Sequence, residues 1–179
     1  MKELVSEAIV LGREPSRGSD RTVALLTKEA GYIHVRAVGG LKILSKFAPH
    51  LDPGSLVEVR LAKKNGYTLT DALTKDRFLI IRNNSEKLGR ALRVLFFIQY
   101  FFPENVSDTR LWDTLLKALE TGEIKMNDFL IHAGYDIRHA TCAMCAARNV
   151  AFITVDTHEF ICLLCSTKLP ENRILLIHN

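Results

Sequence analysis

All four cysteines of this 179-residue chain fall between residues 142 and 165, in CAMCAARNVAFITVDTHEFICLLC. They form two Cys-x-x-Cys pairs, Cys142 with Cys145 and Cys162 with Cys165, with sixteen residues between the pairs. Each knuckle turns two thiolates toward one point, and two knuckles supply a sulfur tetrahedron about 2.3 Å from a metal. The spacing predicts one structural Zn2+, because four thiolates leave no open position for a catalytic water. Two disulfides or a redox pair are the alternatives. The redox reading wants a single Cys-x-x-Cys at a helix start in a βαβ setting, which is absent here. His139 and His158 lie close enough in sequence to replace one ligand, with ordinary loop positions as the favoured reading.

Other chemistry is hard to find. There is no Gly-x-x-x-x-Gly-Lys-Ser/Thr loop, no Gly-x-Ser-x-Gly elbow and no His-Glu-x-x-His. Asp52, Asp71 and Asp76 are scattered at expected turns and strand ends, where solvated turn formers are the favoured reading over a nuclease cluster. The expectation is a protein that is not an enzyme.

The cations are more informative. The formal charge is +4; residues 1–80 hold 13 Lys or Arg against 9 Asp or Glu, and the remainder is balanced. All the excess sits in the first half, which favours an anionic partner there. The candidates are Arg13, Arg17, Arg21, Arg36, Lys42, Lys46, Lys63 and Lys64.

The elements that must position these residues are read from periodicity. Apolar or alternating runs at 4–12, 21–28, 32–39, 55–62 and 67–74 predict five strands. Ile33, Val35 and Ala37 alternate with His34 and Arg36; Val57, Val59 and Leu61 alternate with Glu58 and Arg60. Lys64-Asn65-Gly66 reads as a hairpin turn and Asp52-Pro53-Gly54 as another turn. Residues 41–51 read as a short helix or a loop. Five strands with a break after the third suit an OB-type barrel, with an SH3-like barrel as the rival.

From residue 83 the period becomes helical. Asn84 or Ser85 caps a helix that stops at Pro103, with Leu88, Leu92, Leu95, Phe96 and Gln99 at helical spacing. Ser107 or Asp108 caps a second, striped by Leu111, Trp112, Leu115, Leu116 and Leu119 and ended by Gly122. A third ends at Gly134. The predicted organisation is α+β and multi-domain: an OB-fold β-barrel over 1–80, then a helical domain over 81–179 with a zinc ribbon embedded at about 140–168. Residues 149–155 and 158–163 are its two expected strands. No apolar run reaches the roughly 20 residues of a membrane span and the amino end lacks a signal-peptide core, so no membrane partner and a cytosolic location are expected.

In an OB barrel, ligands lie across strands two and three between the 1–2 and 4–5 loops. The eight cations border that face and are the candidate phosphate contacts. Aromatic residues there are few: Tyr32, Phe47, Tyr67 and Phe78. The barrel would therefore grip backbone rather than stack bases, which suits strand annealing.

EAIVLGREPSRGSDRTVALLTKEAGYIHVRAVGG (7–40) resembles the start of the RecO family, the bacterial recombination and repair protein O. DFLIHAGYDIRHATCAMC (128–145) resembles its later helix, Gly-Tyr turn and first zinc knuckle. The resemblance spans nearly the whole chain. Departures are the sparse cations of GGLKILSKFA, the His158-Glu159-Phe160 stretch where a glycine pair is common, and an end soon after Cys165. The resemblance implies an OB domain, a helical domain and a zinc module. It implies binding of single- and double-stranded DNA, annealing, and action with RecR to help RecA replace single-strand-binding protein. The tail of that last protein would bind the helical domain. By position Arg13, Arg17, Arg21 and Arg36 match the family's DNA-facing residues, and the bacterial cytosol and nucleoid become the expected location. Rival readings are a protein-interaction adaptor using an apolar groove near Leu115 and Phe129, for which buried core is the favoured reading, an RNA-binding OB protein, and a zinc enzyme.

Overall fold

A computed structural model describes residues 2–42 and 44–177; Ile43, inside the 41–51 segment, lies outside the described residues. The chain divides into two compact units, Met1–Glu123 and Ile124–Asn179. Among the described residues no helix is long and apolar enough to cross a membrane.

The first unit opens with five strands: β1 (Lys2–Pro15), β2 (Arg21–Thr27), β3 (Gly31–Ala37), β4 (Leu56–Lys63) and β5 (Tyr67–Asp76). They close a barrel in the order β1-β2-β3-β5-β4. β1 serves both seams: Lys2–Ile9 pairs with β4 and Ala8–Pro15 with β2, with a register shift between Val10 and Gly12. β3 meets β5 in parallel, Val35 opposite Tyr67 and Arg36 opposite Thr68. Closure with this parallel seam is the five-stranded Greek-key arrangement of an OB barrel. The predicted alternation holds in β3 and β4: Ile33, Val35, Ala37, Val57, Val59 and Leu61 are buried, while His34, Arg36, Glu58 and Arg60 are exposed. The inward set joins Ala8, Val10, Val23, Leu25 and Leu69 in one core, stoppered by Phe47 and Leu51. Residues 41–51 are mostly turns with one short 3-10 turn at Ala48–His50. Asn65-Gly66 turns the β4–β5 hairpin, with Gly66 at a φ of +120°.

Ile9, Leu11, Ala24, Leu26 and Tyr32 alternate with the inward residues, yet they are buried too. They face away from the barrel core and under helices of the same unit. These are α1 (Leu79–Arg82), α2 (Ser85–Phe101) and α3 (Thr109–Thr121). α2 runs along β1, and the Gln99 amide donates to Leu11 O at 3.2 Å. Asn84 caps α2 by accepting from the N–H groups of Glu86 and Lys87, and Asp108 caps α3 by accepting from Leu111. The face expected for α2 is corrected. Its buried residues are Ala91, Val94, Leu95, Phe97 and Ile98, and Leu92 is 44% exposed. The stripe expected for α3 holds through Leu111, Trp112, Leu115 and Leu119. The change from barrel to helix falls near residue 80, but the compact unit continues to Glu123 because α2 and its loop cover the barrel's outer wall.

The second unit holds α4 (Met126–His132), β6 (Val150–Thr154), β7 (Phe160–Cys162), α5 (Leu163–Ser166) and β8 (Ile174–Leu176). Its sheet has the order β7-β6-β8. β6 and β7 match the expected ribbon; β8 was not anticipated. Leu115 and Phe129, offered above as a groove, are at most 1% exposed and belong to the interiors of their units.

Candidate nucleic-acid interface and metal centre

The barrel's register gathers basic residues from three separate segments. Arg21 opposes Ala37, Thr22 opposes Arg36, and Arg36 opposes Thr68 beside the 4–5 turn. The 1–2 loop and the 4–5 loop therefore flank the carboxyl end of β3. Arg17 stands at the tip of the first loop, which closes on itself through Ser16 N–H to Asp20 O at 3.0 Å. Lys63 and Lys64 stand at the second. Lys63 lies 4.8 Å from the centre of the Tyr67 ring and donates to its hydroxyl at 3.1 Å.

The eight cations are not equally available. Arg17 and Lys64 are exposed and form no ion pair among the described residues. Arg36 is fully engaged on one edge, its Nε and Nη2 at 2.7 and 2.6 Å from Asp20 Oδ2. Arg21 has a buried Nε with no partner among the described residues. Lys42 follows the Gly39 turn, where it lies in the field of Asp20. Arg13 reaches away to Asp52 at 3.0 Å, a carboxylate that Arg77 also approaches at 3.7 Å. Lys46 donates to Thr70 O at 2.9 Å and lies 3.8 Å from Asp71. Six of the eight thus share one end of the barrel, and Arg13 and Lys46 are tied to carboxylates outside it.

The wall that OB barrels commonly offer to ligands is partly closed here. Ala24, Leu26 and Tyr32 lie under the helical layer, and only the end nearest the 1–2 loop, with Thr22, His34 and Arg36, stays open. Open ground beside His34 also carries acid: Glu104 meets its Nδ1 at 2.8 Å. Tyr32, Phe47 and Phe78 are each under 7% exposed. Tyr67 is only half-buried and carries Lys63 over its ring, so a single barrel ring borders the cationic end and the surface suits phosphates more than stacked bases. The residue overlooked in the sequence is Asp20. Its signal was present in the Gly-Ser-Asp-Arg loop, where the aspartate sits between cations. The Gly39 N–H and then the Arg36 guanidinium hold its carboxyl below the usual carboxylate range.

In the second unit the four cysteine sulfurs lie within 4.8 Å of one another. The Cys145 and Cys162 sulfurs are 3.7 Å apart. A tetrahedron with metal–sulfur bonds of about 2.3 Å has edges of about 3.8 Å, so the donor set fits a tetrathiolate ion. The first knuckle is shaped by Cys142 N–H to Ala147 O and Ala146 N–H to Cys142 O, both at 2.8 Å, with Ala146 at a φ of +59°. The second is the single turn of α5. Burial works against ionisation of Cys142, but backbone N–H groups of Cys162, Met144 and Cys145 outweigh it and hold the thiol down at about 6. Cys165 is pushed up to about 12, first by its hydrogen bond with Cys145 and then by burial. Such a cluster cannot ionise fully without a cation, which is the condition of a metal-dependent fold. Neither His139 nor His158 joins it; His158 Nδ1 instead pairs with the Tyr135 hydroxyl at 2.8 Å.

An OB barrel with a cationic end, followed by helices and a tetrathiolate module, defines a class of multi-domain OB proteins. The comparisons narrow it. Residues 1–78 match the family model described as "Recombination protein O N terminal". The chain is 28% identical over 177 residues to the DNA repair protein RecO of Geobacter metallireducens, covering 93% of this chain and 72% of the relative. It is 28% identical to that of Dehalococcoides mccartyi, over 89% and 68%, and 28% identical to that of Myxococcus xanthus, over 81% and 64%. Residues 1–78 are thus similar to the RecO amino-terminal family, and the chain is similar to RecO proteins over most of its length.

Proposed function

We propose that the protein is a DNA-binding mediator of recombinational repair that holds the backbone of single- and double-stranded DNA at the cationic end of its barrel. The observation that carries this reading is the convergence of Arg17, Arg36, Lys42, Lys63 and Lys64 on one barrel end in a domain matching the RecO amino-terminal model. Lysine and arginine contacts to phosphate release counterions and read no sequence. Covering two negative strands at once lowers their mutual repulsion, which promotes annealing. No catalytic step is assigned to the chain. One zinc ion, held by Cys142, Cys145, Cys162 and Cys165, keeps the second unit folded. Similarity to RecO supports RecR as a partner, with RecA loading on DNA coated by single-strand-binding protein as the purpose, in the bacterial cytosol. A shallow groove lined by Phe78, Ile81, Leu88, Leu92 and Leu119, with Arg77 and Arg82 on its rim, supports a protein contact on the helices of the first unit.

The test is annealing of complementary dye-labelled strands at low salt. Acceleration over the spontaneous rate is expected. The spontaneous rate alone, from folded and metal-loaded protein, would favour the adaptor reading. Stronger binding to RNA than to DNA would favour an RNA protein.

A further inference from the structure

Asp20 is 7% exposed, a buried carboxylate at the centre of a basic surface. Electrostatics alone would exclude it from a site built for phosphates. Its contacts explain its presence. Oδ2 accepts from Arg36 Nε at 2.7 Å and lies 2.6 Å from Nη2 in the ion pair, and Oδ1 accepts from the Gly39 N–H at 2.8 Å. Ser19 O accepts from the Leu41 N–H at 2.8 Å, and Arg17 O from the Asp20 N–H at 3.3 Å. One short stretch thus ties the 1–2 loop to β3 and to the chain that follows it. Arg36 lies over this anchor with its side chain 64% exposed. Nη1 has no partner among the described residues.

Resting on the DNA-binding reading above, we infer that Asp20 is a positioning residue: it fixes the Arg36 guanidinium edge-on, so that the free edge meets a phosphate, and it holds Arg17 and Lys42 in the same frame. A free arginine side chain loses rotamer entropy when it grips a phosphate; one already clamped by a buried carboxylate loses less. The negative charge below is outweighed because it is paired with both the Arg36 guanidinium and the Gly39 N–H, while the free end of the planar guanidinium is left in the geometry that suits phosphate oxygens. The site then trades one unit of net charge for orientation. That trade has a sign that can be measured.

Asp20→Asn is nearly isosteric and removes one negative charge. If net charge governs, the variant binds DNA more tightly and with a steeper salt dependence. If Asp20 positions Arg36, it binds more weakly. The experiment is fluorescence anisotropy of a labelled single strand against full-length, metal-loaded protein over a salt series, for wild type, D20N, R36A and the double variant. D20N is expected to weaken binding roughly three- to tenfold, and the double variant to lose clearly less than the product of the two single losses. Thermal melting checks that D20N is folded. Should it melt early, R36K serves instead: it keeps the charge and loses the fork, and is expected to lose a similar factor. Equal or tighter binding by folded D20N, or unchanged binding by R36K, overturns the inference while leaving the DNA reading standing. A wild type that ignores DNA in dilute buffer overturns both.

Discussion

Gly31 and Val106 meet backbone to backbone: a Cβ on Gly31 would lie 1.9 Å from the Val106 carbonyl oxygen, and Gly31 has a φ of +70°. The α2–α3 loop is seated there on the start of β3. Asn105 N–H donates to Tyr32 O at 2.8 Å close by. Gly31→Ala has no backbone or side-chain escape and is expected to cost about 3 kcal/mol or more. Gly18→Ala, at a φ of +64° in open space, is expected to cost about 1 kcal/mol. Thermal denaturation of the two variants checks this; equal shifts would contradict the seating.

The Tyr32 phenol is pushed up to about 12, first by burial and then by the Glu104 carboxylate. The fold therefore favours the neutral phenol. Its contribution to stability is fully present below the unfolded value of about 10 and is lost as pH rises through about 12. Ultraviolet titration should show a tyrosine ionising late, and Tyr32→Phe should remove that step. Glu104→Gln should bring it only slightly earlier, since burial is the larger cause. A titration unaltered by Tyr32→Phe would reject the assignment.

Unpaired cations and paired ones should respond differently to salt. Replacing Arg17 and Lys64 together by Ala is expected to flatten the slope of log K against log salt by about 1 to 2, near 0.7–0.9 for each phosphate lost. Arg13→Ala, which releases Asp52 rather than DNA, is expected to leave the slope unchanged. Equal slopes for all the variants would take the barrel end out of the interface.

Metal removal should act on one unit only. A strong chelator, or Cys142→Ser, is expected to unfold β6–β8 around the knuckles and to leave the closed barrel protected, as read by hydrogen exchange. Cobalt in place of zinc should show the intense charge-transfer bands of four thiolates. A spectrum of fewer sulfur ligands would contradict the tetrathiolate geometry.

The sequence was most legible where one face of a strand is wet. β3 and β4 alternate cleanly, and the barrel follows from them. In β2 the run Val23–Thr27 is buried throughout, so period two cannot say which residues face the helices and which the core. α2 carries LFFIQYF, apolar nearly all round, and spacing alone does not choose its buried face; packing chose Val94, Phe97 and Ile98 beside Leu95. β8 is three residues long and, among the described residues, pairs with β6 alone, below what periodicity detects. The cysteine cluster was readable because the ligands are local. The pairing of Arg36 with Asp20 and of Arg13 with Asp52 joins residues far apart in the chain, so which cations remain free depended on the fold.

The most direct measurement of the central claim is the equilibrium binding of the folded, metal-loaded protein to a labelled oligonucleotide as salt is raised. Saturable binding in dilute buffer that weakens steeply with salt, and that R17A/K64A makes both weaker and less salt-sensitive, is the expected result. No binding in dilute buffer, or binding indifferent to salt, would contradict a phosphate-gripping barrel end.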